Sequence, residues 1–328
     1  MMRLSPIPSI AWWCMLALAA LAGGGCGKTR AQSDAAATRA TARSAVTDVP
    51  SRARVRAKPV APGEKPGPGG PAFEYAYLAP KSAELQPVYT RARDADLLRQ
   101  LPEVRAIDGM FRLPRRLRYV TTECGEFGAF YRPDTAEIAL CYETLRALEA
   151  RGEAKRRALG LGPDYPARYT RANVRFIVLH ETGHALVALL DLPVTGRQED
   201  AVDQLAAMLM LHFSGAGETP GQVMDDLGMA ADQMLSHSTG AYDLDAYADE
   251  HALGEQRYFN LQCLIYGTDP VTYAGIVAAG DLTAARARLC PRETQAVGRA
   301  WLRLLLPSLA PKYEMTEDEA IRYFERKP

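Results

Sequence analysis

Neither sign of charge predominates in this sequence: 39 Lys and Arg stand against 39 Asp and Glu in 328 residues, a formal net charge of +0. A chain so balanced has no overall field to draw it to nucleic acid or to an anionic membrane, and both partner classes are set aside. Internal repeats are absent, which excludes solenoids and propellers. Long apolar runs are absent outside the first residues, and histidine is scarce, at five residues. What remains, 48% hydrophobic and 24% charged, is the composition of a globular protein able to build one sizeable core.

The first 26 residues read as a secretory leader: Arg3, an apolar run from Ile10 to Leu21, then the small-residue stretch Ala22-Gly23-Gly24-Gly25-Cys26. A membrane span needs roughly 20 apolar residues, more than this glycine-broken run supplies. Cys26 resembles the lipid-attachment cysteine of bacterial lipoproteins, although Gly23 stands where that pattern has Leu. A lipid anchor and a plain exported chain both stay open, and an anchor is the only membrane contact expected. Residues 27–72, rich in Ala, Arg, Pro and Gly, cannot bury enough surface to offset ordering and read as a disordered tether. Residues 73–328 form the folded domain. Export, to periplasm, cell envelope or medium, puts Cys124, Cys141, Cys263 and Cys290 in an oxidising compartment. Cys124 and Cys141 bracket a hairpin, Cys263 and Cys290 lack C-x-x-C spacing, and two disulfides, 124–141 and 263–290, are expected.

Within the domain, Val88–Leu101 reads as a helix and Leu117–Thr122 as a strand. Ala129–Leu140 reads as a hairpin closed by Pro133-Asp134. Helical spacing marks 143–158, 170–190, 199–213, 253–266 and 292–306, with Thr170 as N-cap of the second. The fold class is α+β, a small antiparallel sheet or hairpin beside a mainly helical body.

The second of these helices carries His180-Glu181-Thr182-Gly183-His184. Histidines at i and i+4 project from one face and can reach one ion. Zinc held by two neutral imidazoles needs a further protein ligand and, for catalysis, a position for water. Glu181, at a different angle, suits the base that takes a proton from that water. Chance would produce such a motif in about one chain of this length in a hundred. Two incidental core histidines beside a carboxylate would also be costly to bury without partners. Gly183 costs a helix up to about 1 kcal/mol and marks close backbone approach near the metal.

On the next helix Glu199 and Asp203 lie one turn apart, so Glu199 can complete the metal site while Asp203 accepts the free N–H of a ligand histidine. The competing reading is two acids complementing a helix N-terminus. His212 and His237 read as surface or capping residues, and Tyr142 and Tyr258 as core packing.

His-Glu-x-x-His followed by Glu-x-x-x-Asp resembles the gluzincin peptidases, and thus implies a zincin-like fold with zinc as cofactor. His251-Ala-Leu-Gly-Glu-Gln-Arg257 distantly resembles a segment of the CAAX-type membrane proteases, with Ala252 in place of their Pro and without their transmembrane helices. The set Glu123-Cys124-Gly125, Ala129-Phe130-Tyr131, Ile138 to Glu143, Asp249-Glu250-His251 and Cys263 to Gly267 is similar to a family of uncharacterised bacterial zinc metallopeptidases. These resemblances imply hydrolysis of peptide or protein substrates. With them, His251 and Arg257 are expected to face the metal across the cleft and stabilise the oxyanion; otherwise Arg257 pairs with a surface acid. The substrate is expected along Glu137–Leu140. Two rivals are a non-catalytic zinc-containing envelope lipoprotein and a hydrolase of another amide, such as cell-wall peptide.

Overall fold

The computed structural model describes residues 72–325 except 237–239 and 241–243, so the leader, Cys26, residues 27–71 of the expected tether and His237 lie outside the described residues, while Ala72 is buried in the core. Strands β1 (Phe73–Tyr77), β2 (Leu117–Thr122), β3 (Ala129–Arg132) and β4 (Glu137–Cys141) form one sheet in the order β1-β2-β4-β3. The hairpin β3–β4 is antiparallel, with Tyr131 opposite Ile138, as the spacing predicts. The sheet as a whole is mixed, because β1, β2 and β4 run parallel. The return strand β3 allows this: it reverses the chain so that β4 can enter beside β2 in the same direction. Every residue of β4 is buried, as befits a central strand covered on both faces.

The segment 88–101 is not one helix. α1 (Gln86–Asp94) ends in a turn where Asp96 has φ +47°, and α2 (Pro102–Ile107) begins afresh. Pro102 drives Leu101 to extended backbone (ψ 118°) and forbids continuation. The body then follows as α3 (Tyr142–Leu159), α4 (Tyr165–Leu189), α5 (Gln198–His212), α6 (Pro220–Leu235), α7 (Leu244–Ala248) and α8 (Gly254–Thr268). α9 (Gly275–Ala279), α10 (Ala284–Ala287), α11 (Cys290–Leu305) and α12 (Glu317–Glu325) complete it. α4 starts earlier than expected, with Pro166 in its first turn; Thr170 lies inside it, donating from Oγ1 to the Pro166 carbonyl at 2.9 Å, and caps nothing. None of the described helices is long and apolar enough to cross a membrane.

Both expected disulfides form. Cys124–Cys141 fastens the loop before β3 to the end of β4, and Cys263–Cys290 joins α8 to the start of α11. A third fastening is electrostatic. Arg175 of α4, 1% exposed, donates to Glu103 of α2, to Asp226 of α6 at 2.6 Å and to Glu218 at 2.9 Å, fixing α4 against its neighbours. Removing one partner of such a buried network leaves uncompensated charge, so Arg175→Ala is expected to lose about 3–5 kcal/mol of stability in urea denaturation. Arg168→Ala, whose ion pair with Asp225 is exposed, should change little, and equal losses would show that burial is not what matters.

Candidate metal centre

α4 presents two faces. Thr182 points to the sheet, its Oγ1 3.1 Å from the Tyr119 hydroxyl, while His180 and Glu181 line a cleft beside the edge strand β3, with His184 against His180. α5 crosses close to α4 because residue 183 is glycine: a Cβ there would meet Val202 Cβ at 2.8 Å. The glycine therefore admits the neighbouring helix beside the two histidines, the close approach that its place in the motif suggests. The close crossing delivers Glu199 and Asp203 to the two histidines.

Their atoms converge. His180 Nε2 lies 3.1 Å from Glu199 Oε2 and 3.2 Å from His184 Nε2, and His184 Nε2 lies 3.2 Å from Glu199 Oε1. Asp203 Oδ1 takes His180 Nδ1 at 2.8 Å, and Gln198 Oε1 meets His184 Nδ1 at 2.7 Å. Burial pulls the His180 imidazole down, but its hydrogen bonds to Asp203 and Glu199 outweigh that and lift it to about 9. Burial pushes Glu199 up, and the hydrogen bonds from His180, His184 and His251 overcome it and hold the carboxyl well below the usual range. Burial pushes Glu181 above the ordinary glutamate value, opposed by the two imidazoles. Glu181 Oε2 also accepts the Tyr131 backbone N–H at 2.7 Å, a contact with the outer edge of β3.

His251 and Arg257 come to the same place by different routes. His251 Nε2 is 3.0 Å from Glu199 Oε2 and its Nδ1 3.1 Å from Asp249, while its carbonyl accepts from Arg197 at 3.1 Å. Arg257 lies behind Asp203, donating from Nε at 2.7 Å and from Nη2 at 2.8 Å to its two carboxylate oxygens. It pairs with this partly buried acid, not with one on the surface, while still lining the cleft with His180, Glu181 and His251. A further group of donor atoms, Cys124, Cys141 and Glu143, is spent on the disulfide and on the N–H groups of Cys124 and Gly125.

Two other expectations change, while the reading of Tyr142 and Tyr258 as packing residues holds. Glu137–Leu140 belongs to the central strand and has no free edge; the free edge beside Glu181 is β3. His212 is half-buried at the end of α5, not on the surface, and burial pulls it down to about 4. Tyr142 is fully buried and bonded to Thr121, while Tyr258 reaches Asp281 at 2.7 Å; neither touches the centre. Reasoning from sequence missed Gln198 and the Tyr131 backbone as partners of the site, whereas Asp249, just before His251 in the chain, is legible there as the acid that orients its ring, and it holds His251 Nδ1 at 3.1 Å.

An α+β fold whose buried helix sets two histidines and a glutamate over a cleft defines a metallopeptidase-like domain. Residues 77–305, more than half of the chain, match the model of the DUF4344 family, described as "Putative metallopeptidase", and the chain belongs to that family. No curated protein and no solved structure matches it.

Proposed function

We propose that this protein is an exported zinc-dependent metallopeptidase in which His180, His184 and Glu199 hold the ion and Glu181 is the general base. The observation that carries the reading is the convergence of two imidazole nitrogens and one carboxylate: His180 Nε2 and His184 Nε2 lie 3.2 Å apart, and the two oxygens of Glu199 meet them singly, Oε2 at 3.1 Å from the first and Oε1 at 3.2 Å from the second. A tetrahedral zinc with bonds of about 2.0–2.1 Å separates its ligand atoms by roughly 3.3 Å, close to the 3.2 Å between the two imidazole nitrogens, with the carboxylate in reach of both. Charge points the same way. With neutral imidazoles, Glu181, Glu199 and Asp203 against Arg257 leave two negative charges at the centre, which suits a divalent cation. The two disulfides fit an oxidising compartment, in keeping with a leader ending at Cys26.

A zinc ion bound here supplies Lewis-acid polarisation of the scissile carbonyl and acidifies water. Everything else falls to the chain's own side chains. Glu181, its carboxyl raised by burial and held by the Tyr131 N–H, takes the proton from the attacking water and passes it to the leaving amine. Asp203 fixes His180 with Nδ1–H outward and Nε2 inward, and Arg257 fixes Asp203, so Arg257 is a positioning residue. His251, its far nitrogen tied to Asp249, turns Nε2 into the cleft, where it can donate to the developing oxyanion. The substrate backbone lies along β3. With the Tyr131 N–H held by Glu181, the Tyr131 carbonyl and, by antiparallel alternation, the backbone groups of Ala129 face outward there.

Metal affinity tests the ligand assignment. Asp203→Ala is expected to weaken zinc binding by about 10–100-fold, as outer partners of ligands do, with Arg257→Ala following it. Glu199→Ala should lose more than either. Asp200→Ala should lose little, because Asp200 is not among the donor atoms that gather with His180 and His184. If Asp200→Ala is the variant that sheds zinc, the assignment is one residue out.

A further inference from the structure

Resting on the peptidase reading, we infer that the protein selects peptides with a bulky apolar side chain next to the scissile bond, read by a pocket of Phe127, Phe130, Phe176, Ile177, Ala230 and Met234. The cavity, of about 520 Å³, opens at His180 and Glu181. Its floor is α4 itself: Glu181, Ile177 and Asn173 follow one another at four-residue intervals, so it runs from the reacting centre along two helical turns, roughly 12 Å. α6 supplies the opposite wall with Ala230 and Met234. At the mouth Phe127 and Phe130 are 41% and 38% exposed, two large apolar rings left in water beside a reactive carboxylate. Such exposure is the informative kind, because large rings gain by being covered.

The polar side chains of the pocket are already engaged. Thr144 Oγ1 bonds the Gly128 N–H at 2.7 Å and its carbonyl at 2.8 Å. Asn173 Nδ2 donates to the Tyr169 carbonyl at 2.8 Å, and Gln233 Oε1 accepts from Arg151 at 2.8 Å. Apart from His180, Glu181, Asp249, His251 and Arg257 of the centre itself, the lining carries no charged side chain, so a charged residue held between α4 and α6 would lose its water without gaining a partner there, whereas an aromatic or long aliphatic one loses nothing. The volume lies within the roughly 300–1,000 Å³ of cavities that hold ligands, and Met234 can adapt to different ring shapes.

The test is a digest, by the full chain with zinc, of peptide libraries varied on both sides of each bond. Cleaved bonds are expected to have Phe, Tyr, Leu or Met at one flanking position, with kcat/KM roughly 10–200-fold above Ala or Asp there. Cleavage indifferent to that side chain, or favouring charged ones, overturns the inference. Binding supplies a readout free of turnover: to the Glu181→Gln protein, a peptide carrying Phe should bind at least about tenfold more tightly than its Ala or Asp counterparts. Equal affinities sink the pocket even if peptides are cleaved, whereas selective binding by a chain that cleaves none sinks the peptidase reading and leaves the pocket standing. Ala230→Phe should fill the cavity and shift preference to small side chains with zinc content unchanged. If that variant does not fold, Met234→Ala should instead favour Trp over Leu; unaltered selectivity in either folded variant contradicts the assignment.

Discussion

Glu181→Gln is expected to bind zinc as tightly as the parent chain while hydrolysing peptides about 10²–10⁴-fold more slowly, the range that proton transfer by a placed side chain contributes. The substitution is nearly isosteric, and the amide oxygen can still accept the Tyr131 N–H that now holds Oε2 at 2.7 Å. The side chain should therefore keep its place at the cleft. What it loses is the ability to take a proton. Because Glu181 is not among the donor atoms grouped around Glu199, metal content should not follow the activity down. Zinc analysis beside steady-state kinetics on a cleaved peptide checks both halves, and undiminished turnover would sink the mechanism.

His251→Ala is expected to lower kcat by about 10²–10³ with KM and zinc content nearly unchanged, the pattern of an interaction made only in the transition state. Water attack puts negative charge on the former carbonyl oxygen, and a donor opposite the metal stabilises it there. His251 is placed for that: its ring is parallel to within 20° of the His180 ring at 6.2 Å, and its backbone is pinned by Arg197 and Asp249. Its 3.0 Å contact with Glu199 invites a different outcome, in which the imidazole is a fourth ligand. Loss of zinc from His251→Ala would establish that outcome, and retained kcat would make the residue structural. Arg257→Ala separates from both, because its bonds run to Asp203: it should move zinc affinity as well as rate.

The parts of this protein most legible in its sequence are those with local spacing. Two histidines at i and i+4, two acids at i and i+4, and a Pro-Asp turn between alternating residues each fix a geometry within a few residues, and each is found in place. What was not legible depends on contacts far along the chain. Alternation shows that 137–141 is a strand, but not that β4 inserts between β2 and β3 and leaves β3 as the edge. Arg257 carries no mark of gripping Asp203, 54 residues away. Gly183 could be read as a close approach, yet the approaching residue, Val202, is set by how α5 crosses α4.

One omission was avoidable. α6 opens with Thr219-Pro220-Gly221-Gln222, a capping box with proline in the first turn, in which the Thr219 hydroxyl accepts from the Gln222 N–H and the Gln222 side chain accepts from the Thr219 N–H. That signal lies in the sequence itself, and reading it would have supplied the wall of the cleft opposite α4.

The central claim, that this centre is a zinc site that cuts peptides, is met most directly by a broad peptide-library digest with purified protein of measured zinc content, run with and without a chelator. The account predicts one zinc per chain, cleavage of peptide bonds, and loss of that cleavage when the metal is removed and its return when zinc is restored. A chain that carries its zinc and cleaves no peptide in the library would contradict it and leave a metal-holding envelope protein in its place.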